Sequence, residues 1–477
     1  MKVLSSPSSG DEANVPCDNS TIPCPKPEKL PKITIRARLF FDGTGNNKTN
    51  TRMRIENDQS DKKNKIPFLK LLRESFESDF TNVSKLHDFI LPDSTVTHSF
   101  SIYIEGVGTV DGEADNLIDI GFGVGLGGAQ KIKVVSETGD EERIGTGVKD
   151  KVSKSLDLLA ARIGQLECSK QIEYIYLDLF GFSRGAAAAR NFIHTALNEP
   201  NQCLRDRLAR LGYSVNSIEV IFVGLFDTVA AYGMNYSNDT ADLNLDAIRN
   251  AKRVVQLAAA EEYRENFILT AINSALNGTQ IFLPGAHADI GGGYVAKGEE
   301  KHLSLYELSG IGPPHAEVLL DHDRNWFVRA GWYNEAELTT VDNSTEGSYD
   351  FKIIANRKNI SNEYSRIPLH LMADFAAEQG LNFSPYLYQE NPIPDELSEI
   401  KSSLDNYVAG PGILGESQPS DWYDNNSEMM RYLRHNYLHF SAQYGSYYSA
   451  YYGYGMKPRF EKNGEFLIRK REIHDDA

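Results

Sequence analysis

The run IEYIYLDLF-GFSRG-AAAARNFIHTAL, residues 172–197, decides how the rest of the chain is interpreted. Its first part is mostly apolar, with β-branched and aromatic side chains that favour a buried strand, and its last part has the spacing and composition of a helix. Between them lies Gly181-Phe182-Ser183-Arg184-Gly185. A serine on a sharp strand-to-helix turn needs small residues two positions away on either side. The stretch therefore predicts a nucleophile elbow that presents the Ser183 hydroxyl at the edge of a sheet.

The pentapeptide G-x-S-x-G alone is short enough to occur by chance, but strand, motif and helix in direct succession are much rarer. Residues 186–189 are all alanine, which lets the helix pack close to the strand it leaves. The backbone N–H of Arg184, at the positive end of the helix dipole, is placed to stabilise an oxyanion. We expect a second oxyanion donor from the Gly43-Thr44 turn, which follows another strand.

Net charge and apolar content exclude several classes of protein. The 477 residues carry a formal charge of −17, which repels nucleic acid and gives no attraction to an anionic membrane surface, and a hydrophobic share of 41% allows a sizeable core. Residues 1–12 lack the apolar stretch of a signal peptide, and the run 117–129 is too short to span a bilayer. We expect no Sec export and no transmembrane segment. Without an HExxH pattern or a dinucleotide fingerprint, we expect no metal and no cofactor.

Four cysteines do not make a disulfide framework in a chain of this length. Cys168 and Cys203 flank predicted helices and are expected to be small buried residues. Cys17 and Cys24 lie in a Pro- and Ser-rich stretch, residues 1–30, which predicts a flexible tail. They either pair in an oxidising compartment or stay solvated thiols, and the sequence favours neither.

Strands and helices alternate between residues 31 and 293. Strands are predicted over residues 33–41, 99–107, 172–180, 217–226 and 279–284, and helices over residues 66–90, 149–166, 186–197 and 256–267. This order predicts an α/β-hydrolase-like fold: a mostly parallel sheet covered by helices on both faces. We assign the catalytic core to residues 31–300.

Two further regions follow the core. Residues 301–355 are mixed polar and aromatic and are predicted to be an insertion, a candidate lid or membrane-facing module. Residues 356–477 are predicted to be a partly helical region packing on the core, with helices over residues 368–379 and 427–444. The tyrosine-rich run 444–454 suits either a lipid interface or an ordinary polar aromatic surface.

A serine nucleophile needs a base, and the base needs an acid that holds its tautomer. In this fold the expected order is serine, acid, histidine, each on a loop after a strand. Asp227 lies 44 residues after Ser183 at the end of SIEVIFVGLF, and His287 lies 60 residues later, after TQIFLP. We therefore predict Asp227 as the acid and His287 as the base, although an aspartate after a strand is also a common helix N-cap.

Other polar residues compete weakly for these roles. His194 lies about three turns into the elbow helix, and His370 and His439 lie on predicted helices, where histidines more often pack than catalyse. Of these, His439 is the second choice for the base. Asp289, two residues after His287, is expected to anchor its glycine-rich loop, with a local acid or metal-ligand role as the alternatives.

Six blocks of sequence together resemble the first lipase-effector family of bacterial type VI secretion. The blocks are FFDGTGNN (40–47), YIEGVGT (103–109), GFSRGAAAAR (181–190), FVGLFDTVAAYG (222–233), GAHADIGGGY (285–294) and SNEYSRIPLHLMAD (361–374). The resemblance implies a phospholipase that hydrolyses acyl esters of membrane glycerophospholipids, with Ser183, Asp227 and His287 as its triad. It departs at Gln256, where the family usually has a histidine on what is predicted to be a helix; this departure concerns packing around the site.

The resemblance also implies a biological setting. The protein would be made in the cytoplasm, carried without a signal peptide by a spike or tube component, and would act as an antibacterial toxin at the periplasm or membrane of the target cell, with a cognate immunity protein protecting the producer. Two alternatives remain open: a soluble carboxylesterase or thioesterase, and a non-catalytic membrane-perturbing toxin with a relic elbow. Whether the first or second acyl chain is cleaved depends on pocket shape.

Overall fold

Fifteen strands lie within the described part of the chain. The computed structural model describes residues 33–59, 74–123, 125, 134–135, 141–142, 145–166, 170–233, 239–410, 422, 427–445, 456–463 and 466–476. In chain order the strands are β1 (Ile33–Phe41), β2 (His98–Ile104), β3 (Val134–Val135), β4 (Glu141–Glu142), β5 (Gln171–Phe182), β6 (Ser214–Phe226), β7 (Ala251–Ala259), β8 (Leu269–Thr270), β9 (Gly278–Leu283), β10 (Gly298–Ser309), β11 (Leu338–Asp342), β12 (Asp350–Ile360), β13 (Phe460–Asn463), β14 (Phe466–Arg469) and β15 (Ile473–His474).

Helices connect these strands. They are α1 (Lys48–Gln59), α2 (Glu74–Glu77), α3 (Asn82–Phe89), α4 (Leu117–Phe122), α5 (Val148–Gly164), α6 (Arg184–Asn198), α7 (Leu204–Arg210), α8 (His287–Gly291), α9 (His315–Arg329), α10 (Arg366–Ala377), α11 (Tyr386–Glu390), α12 (Ser398–Val408) and α13 (Ser427–Asn436). Short 3₁₀ turns occupy Leu245–Asn250, Glu335–Glu337, Glu363–Ser365 and Asp395–Leu397.

The central sheet has six strands in the order β2-β1-β5-β6-β7-β9. Every neighbouring pair in it is parallel. Because all six strands point the same way, their carboxyl ends meet at one edge, and the turns after β1, β5, β6 and β9 gather there. This is the edge at which open α/β sheets bind their ligands.

Both faces of the sheet are buried under helices, as expected of parallel strands. Successive residues of β1 point to opposite faces: Phe41 packs in a core with α5 and α6, and Phe40 packs in a second core with α3 and α10. The α/β fold with helices on both faces is thus confirmed. The second core continues through Ile353 to Leu438, so the later regions share its packing.

Smaller sheets follow the central one. Strands β10, β12 and β11 form an antiparallel sheet in that order, and β13 pairs with β14. The pair β3–β4 is antiparallel, and β15 lies parallel to β8. Residues 301–355 are therefore built from strands and helix α9. The division of the chain into a core, an insertion and a C-terminal region at residues 300 and 355 stays a prediction.

The helix predicted over residues 256–267 is wrong. The run QLAAA, residues 256–260, is rich in helix formers, yet β7 runs to Ala259 between β6 and β9, with Leu257 opposite Phe226 and Ala259 opposite Leu283. The tertiary position of a central strand overrides local propensity here. The helix predicted over residues 427–444 ends early, at Asn436.

Other predictions concern segments that the structure describes only in part. Of the predicted helix 66–90, the described portion forms α2 and α3. Cys203 has a free thiol and is half-buried, so it is more exposed than predicted. Several predictions lie outside the described residues: those for the tail 1–30 with Cys17 and Cys24, for Cys168, and for parts of the runs 117–129 and 444–454.

Candidate active site

Ser183 lies on the turn between β5 and α6, in a backbone conformation that few residues adopt. Its φ of 59° and ψ of −129° carry a strain of about 1–3 kcal/mol. The turn is held by the end of β6: the Ser183 N–H donates to the Phe226 carbonyl at 3.1 Å, and the Val229 N–H donates to the Ser183 carbonyl at 3.3 Å. The surrounding strands thus impose the strained conformation on Ser183.

The two glycines of the motif are required by close backbone contacts. A Cβ on Gly181 would lie 2.5 Å from the Cα of Ala186, and a Cβ on Gly185 would lie 2.2 Å from the carbonyl oxygen of Asp42. Neither contact is with a flexible side chain, so neither can relax cheaply. The elbow helix therefore approaches both its own strand and the end of β1 as closely as glycine allows.

Arg184 is the first residue of α6, so its backbone N–H lies at the positive end of the helix dipole. Its side chain binds back across the site: Nε donates to Thr44 Oγ1 at 2.9 Å, and Nη2 donates to the Ile120 carbonyl. These bonds join α6 to the turn after β1. The Gly43 N–H donates to Asp42 Oδ1 at 2.8 Å, and Thr44 of the same turn lines the cavity described below.

Asp227 and His287 are in direct contact. His287 Nδ1 lies 2.6 Å from Asp227 Oδ2, and both side chains are buried, with exposures of 7% and 0%. Asp227 follows β6 with a positive φ of 44°, and His287 begins α8 after β9. With Nδ1 protonated and donating to the carboxylate, Nε2 is left as the basic nitrogen.

The imidazole of His287 is held between aromatic rings. Its centroid lies 4.6 Å from that of Phe182 and 5.1 Å from that of Phe267. Burial lowers the pKa of His287 below its ordinary value, and the contact with Asp227 opposes that shift only in part. The histidine is therefore neutral, and able to accept a proton, at pH 7.

Two charged residues complete the surroundings of His287. Its backbone N–H donates to Glu262 Oε2 at 3.2 Å, and Arg264 binds the same carboxylate through Nε and Nη2, each at 2.8 Å. Although burial opposes ionisation, the Arg264 guanidinium lowers the pKa of Glu262 to about 2. Sequence inspection did not select either residue, because a local Glu-x-Arg pair gives no catalytic signal.

Ser183 and His287 open into one cavity of about 290 Å³. It is lined by Thr44, Asn46, Ser78, Ile120, Phe182, Ser183, Arg184, Val229, Ala231, Arg264, Asn266, Phe267, His287, Ala288, Gly292, Gly293, Tyr294 and Met456. The volume is near the lower end for ligand pockets, and the apolar side chains suit a hydrocarbon chain. Among the described lining residues none comes from residues 301–355, so the lid role proposed for that region stays a prediction.

The other histidines have different partners. His370 Nε2 lies 2.9 Å from the Asn391 carbonyl, and His194 lies 3.4 Å from Glu199. His439 pairs with Asp289, with Nδ1 2.8 Å from Oδ1. Asp289 also accepts the Ala286 N–H at 2.9 Å, and it thereby anchors the loop that carries His287.

Within the described ranges, no group of three or more His, Cys, Asp or Glu side chains is arranged to hold a metal ion. In the same part of the chain, no helix has both the length and the apolar character needed to cross a membrane.

A parallel α/β sheet with a strained serine turn, an Asp–His pair and a shared cavity at its carboxyl edge is the arrangement of the α/β-hydrolase class. A family model described as the catalytic domain of Tle1-like phospholipase effectors of the type VI secretion system matches residues 36–199 and 194–311. The chain belongs to this family. It is a type VI secretion phospholipase effector, and its reaction is therefore the hydrolysis of a phospholipid ester.

A solved structure supports the fold. The Tle1 effector, solved bound to the VgrG spike of the type 6 secretion system, superposes with a TM-score of 0.59 at 23% identity, over 87% of this chain and 85% of that one. An uncharacterized protein from Pseudomonas aeruginosa matches with a TM-score of 0.40 at 20% identity, over 83% of this chain and 52% of that one. No curated protein sequence matches the chain.

Proposed function

We propose that the protein is a serine-dependent phospholipase A, with Ser183 as nucleophile, His287 as general base and Asp227 as the acid that orients it. The observation that carries the proposal is the contact of 2.6 Å between His287 and Asp227 beside a cavity that Ser183 also lines. The ends of three strands supply the nucleophile, the base and the acid that acyl transfer requires. The substrate is an acyl ester of a membrane glycerophospholipid, cleaved at the first or at the second acyl position.

The proposed reaction has two halves. His287 Nε2 takes the Ser183 proton while Oγ forms a bond to the ester carbonyl carbon, and the resulting oxyanion is stabilised by the N–H groups of Arg184 and Thr44. The C–O bond to the glycerol breaks, and the imidazolium returns its proton to that alcohol. Water then repeats the sequence on the acyl-enzyme, which releases fatty acid and free Ser183.

Arg264 favours a phospholipid over an uncharged ester as the substrate. Its guanidinium lies in the cavity wall, 3.3 Å above the Phe267 ring, and only Nε and Nη2 bind Glu262. The Nη1 group contacts the Met456 sulfur at 4.0 Å, a weak acceptor. We propose that Nη1 donates to the phosphodiester of the bound lipid while the acyl chain occupies the apolar cavity.

The substrate proposal is tested by comparing two esters. Arg264→Gln should lower kcat/KM for phosphatidylglycerol vesicles about tenfold relative to its effect on a short nitrophenyl ester, since a charged hydrogen bond is lost only with the phospholipid. Arg324→Gln, which disturbs a surface ion pair with Glu335, is the matched control. Equal losses on both esters would instead support a general carboxylesterase.

Delivery is proposed by analogy with the structural relative. That protein was solved bound to the VgrG spike, and we propose that this chain also travels on a spike component. A cognate immunity protein would protect the producing cell, and the toxin would act on the membrane of the target cell from its periplasm. Co-purification with the spike proteins of the same secretion system tests the first of these statements.

Serine dependence is tested with Ser183→Ala. We expect a folded protein that releases no fatty acid from phospholipid vesicles, whereas Ser402→Ala, on the exposed face of α12, should match the wild type. If Ser183→Ala still damages vesicles as the wild type does, the membrane-perturbing alternative replaces the enzymatic one. Mass spectrometry of products from a phospholipid with two different acyl chains assigns the position that is cleaved.

A further inference from the structure

The segment 470–476 lies against the site although it is far from it in sequence. Strand β15 pairs in parallel with β8, the Leu269 N–H donates to the Glu472 carbonyl at 3.0 Å, and the Ala271 N–H donates to the His474 carbonyl at 2.8 Å. Because β8 follows the loop that carries Phe267, this pairing fixes the segment next to the His287 pocket.

Arg471 reaches from this segment to Asp227. Its Nη2 donates to Asp227 Oδ1 at 2.9 Å, and the two side chains are 1% and 0% exposed. Nη1 is directed to the Glu262 carbonyl at 3.5 Å. A guanidinium at this depth is stable only if it is paired, and its charge partner is the carboxylate that also binds His287.

A second buried ion pair anchors the same segment to the elbow helix. Asp476 Oδ2 accepts from Arg190 Nη2 at 2.5 Å, with both side chains fully buried. Arg190 belongs to α6, which begins directly after Ser183. Ser274 adds two further bonds to the Asp476 carboxylate, from its N–H at 3.0 Å and its hydroxyl at 2.6 Å. The segment is thus tied to the elements that carry both the acid and the nucleophile.

The contacts of Asp227 show what Arg471 does for it. Oδ2 binds His287, whereas Oδ1 accepts two N–H groups, from Ala259 at 2.8 Å and from Arg471. One oxygen is therefore fixed by two donors and the other is directed at the imidazole. Without Arg471, one backbone donor is left to resist rotation of the carboxylate away from His287.

We propose that Arg471 is a positioning residue of the hydrolase: it holds the Asp227 carboxylate in the rotamer that orients His287, and the segment 470–476 is the part of the fold that delivers it. This inference rests on the proposed triad. It adds a fourth chain segment to the three that the motifs supply.

Charge around the imidazole gives the proposal a distinctive signature. The charged groups that face His287 are the carboxylates of Asp227 and Glu262 and the guanidinium of Arg264. Arg471, bound to Asp227, supplies the second positive charge, so that the two carboxylates are balanced. Removing the Arg471 charge leaves a net negative environment that favours imidazolium, so the pKa of His287 should rise. A residue that merely supports packing would lower activity equally at all pH values.

The test compares Arg471→Gln with Arg471→Lys by pH profiles of kcat/KM on phospholipid vesicles. Arg471→Gln should lose about 100-fold in kcat/KM, and its acidic limb should move up by about one pH unit. Arg471→Lys keeps the charge and should leave the limb in place while recovering part of the activity. Lys470→Gln, whose side chain makes an exposed ion pair with Glu461, is the control and should match the wild type.

The outcomes separate this inference from the proposed function. If Ser183→Ala is inactive and Arg471→Gln is folded with a wild-type rate and profile, the positioning role is wrong and the serine mechanism stands. If Arg471→Gln fails to fold, Arg471→Lys decides: an acidic limb displaced as far as one pH unit would contradict the charge argument, and an unmoved limb with reduced kcat supports it. If Ser183→Ala keeps full activity, the triad itself is wrong.

Discussion

Replacing Asp227 by asparagine changes the charge and the hydrogen-bonding pattern of the proposed acid but not its shape. The carboxylate accepts two N–H groups at Oδ1, from Ala259 and Arg471, and one at Oδ2, from His287. An asparagine has one acceptor and one donor group. Its oxygen is better placed facing the two donors, so its NH₂ group points at His287 Nδ1. The imidazole proton then moves to Nε2, and the base can no longer accept the Ser183 proton.

The expected loss follows from that tautomer change. We expect kcat to fall about 10³–10⁴-fold with KM within a few-fold, the size of effect measured for this substitution in a known serine protease. This corresponds to about 4–5.5 kcal/mol in activation free energy. The assay is fatty acid release from phospholipid vesicles over a range of lipid concentrations, with thermal unfolding of each variant measured in parallel.

A matched control lies on the same loop as the base. Asp289→Asn also removes a buried carboxylate that binds a histidine, here His439, and although Asp289 anchors the loop that carries His287, its carboxylate takes no part in the contact between Asp227 and His287. It should lower thermal stability and keep kcat within about tenfold of the wild type. A folded Asp227→Asn enzyme with more than a tenth of the wild-type kcat would refute the tautomer argument.

Two further predictions concern charge. Because burial lowers the pKa of His287 and the base must be neutral, kcat/KM should be lost only as pH falls through a value below 6.5. The same lowered pKa makes the fold less stable as pH falls below 6.5, because the unfolded chain takes up the proton first. A half-loss of kcat/KM above pH 7 would contradict this. Asp476→Asn leaves the fully buried Arg190 without its charge partner and should lower the free energy of unfolding by about 3–5 kcal/mol in urea titrations, and a change below about 1 kcal/mol would show that the pair is not a stabilising anchor.

The central sheet could be predicted from sequence because its strands carry their own signals. The runs ending at Phe41, Phe182, Phe226 and Leu283 are apolar and β-branched, and each is followed by a polar or glycine-rich turn. Since parallel strands end at one edge, the sequence order alone predicted that Ser183, Asp227 and His287 would lie near one another. The structure brings the last two into contact and places the first on the same cavity.

The failures have identifiable physical causes. The end of β7, residues 256–259, was predicted as the start of a helix because alanine, leucine and glutamine favour helices locally, whereas its position between two strands is set by distant residues. Gln256, which stands in this strand where the family usually has a histidine, accepts from the Thr228 hydroxyl and donates to the Thr270 carbonyl. One oxyanion donor from the Gly43-Thr44 turn stays a prediction; within that turn, the Gly43 N–H donates to the side chain of the preceding Asp42.

Arg471 had no sequence signal at all. It lies 244 residues from Asp227, outside the recognisable motifs, and an arginine between charged neighbours is normally a surface residue. The pairing of β15 with β8 brings its guanidinium to Asp227, the proposed acid. Met456 likewise had no sequence signal, although it lines one wall of the cavity.

Labelling with a fluorophosphonate, with the adduct located by peptide mass spectrometry, shows whether Ser183 is the nucleophile of this phospholipase. We expect one adduct, on Ser183, formed rapidly by the wild type, formed far more slowly by His287→Ala, and absent from Ser183→Ala. An adduct on another residue, or full inhibition of vesicle hydrolysis with Ser183 unmodified, would contradict it.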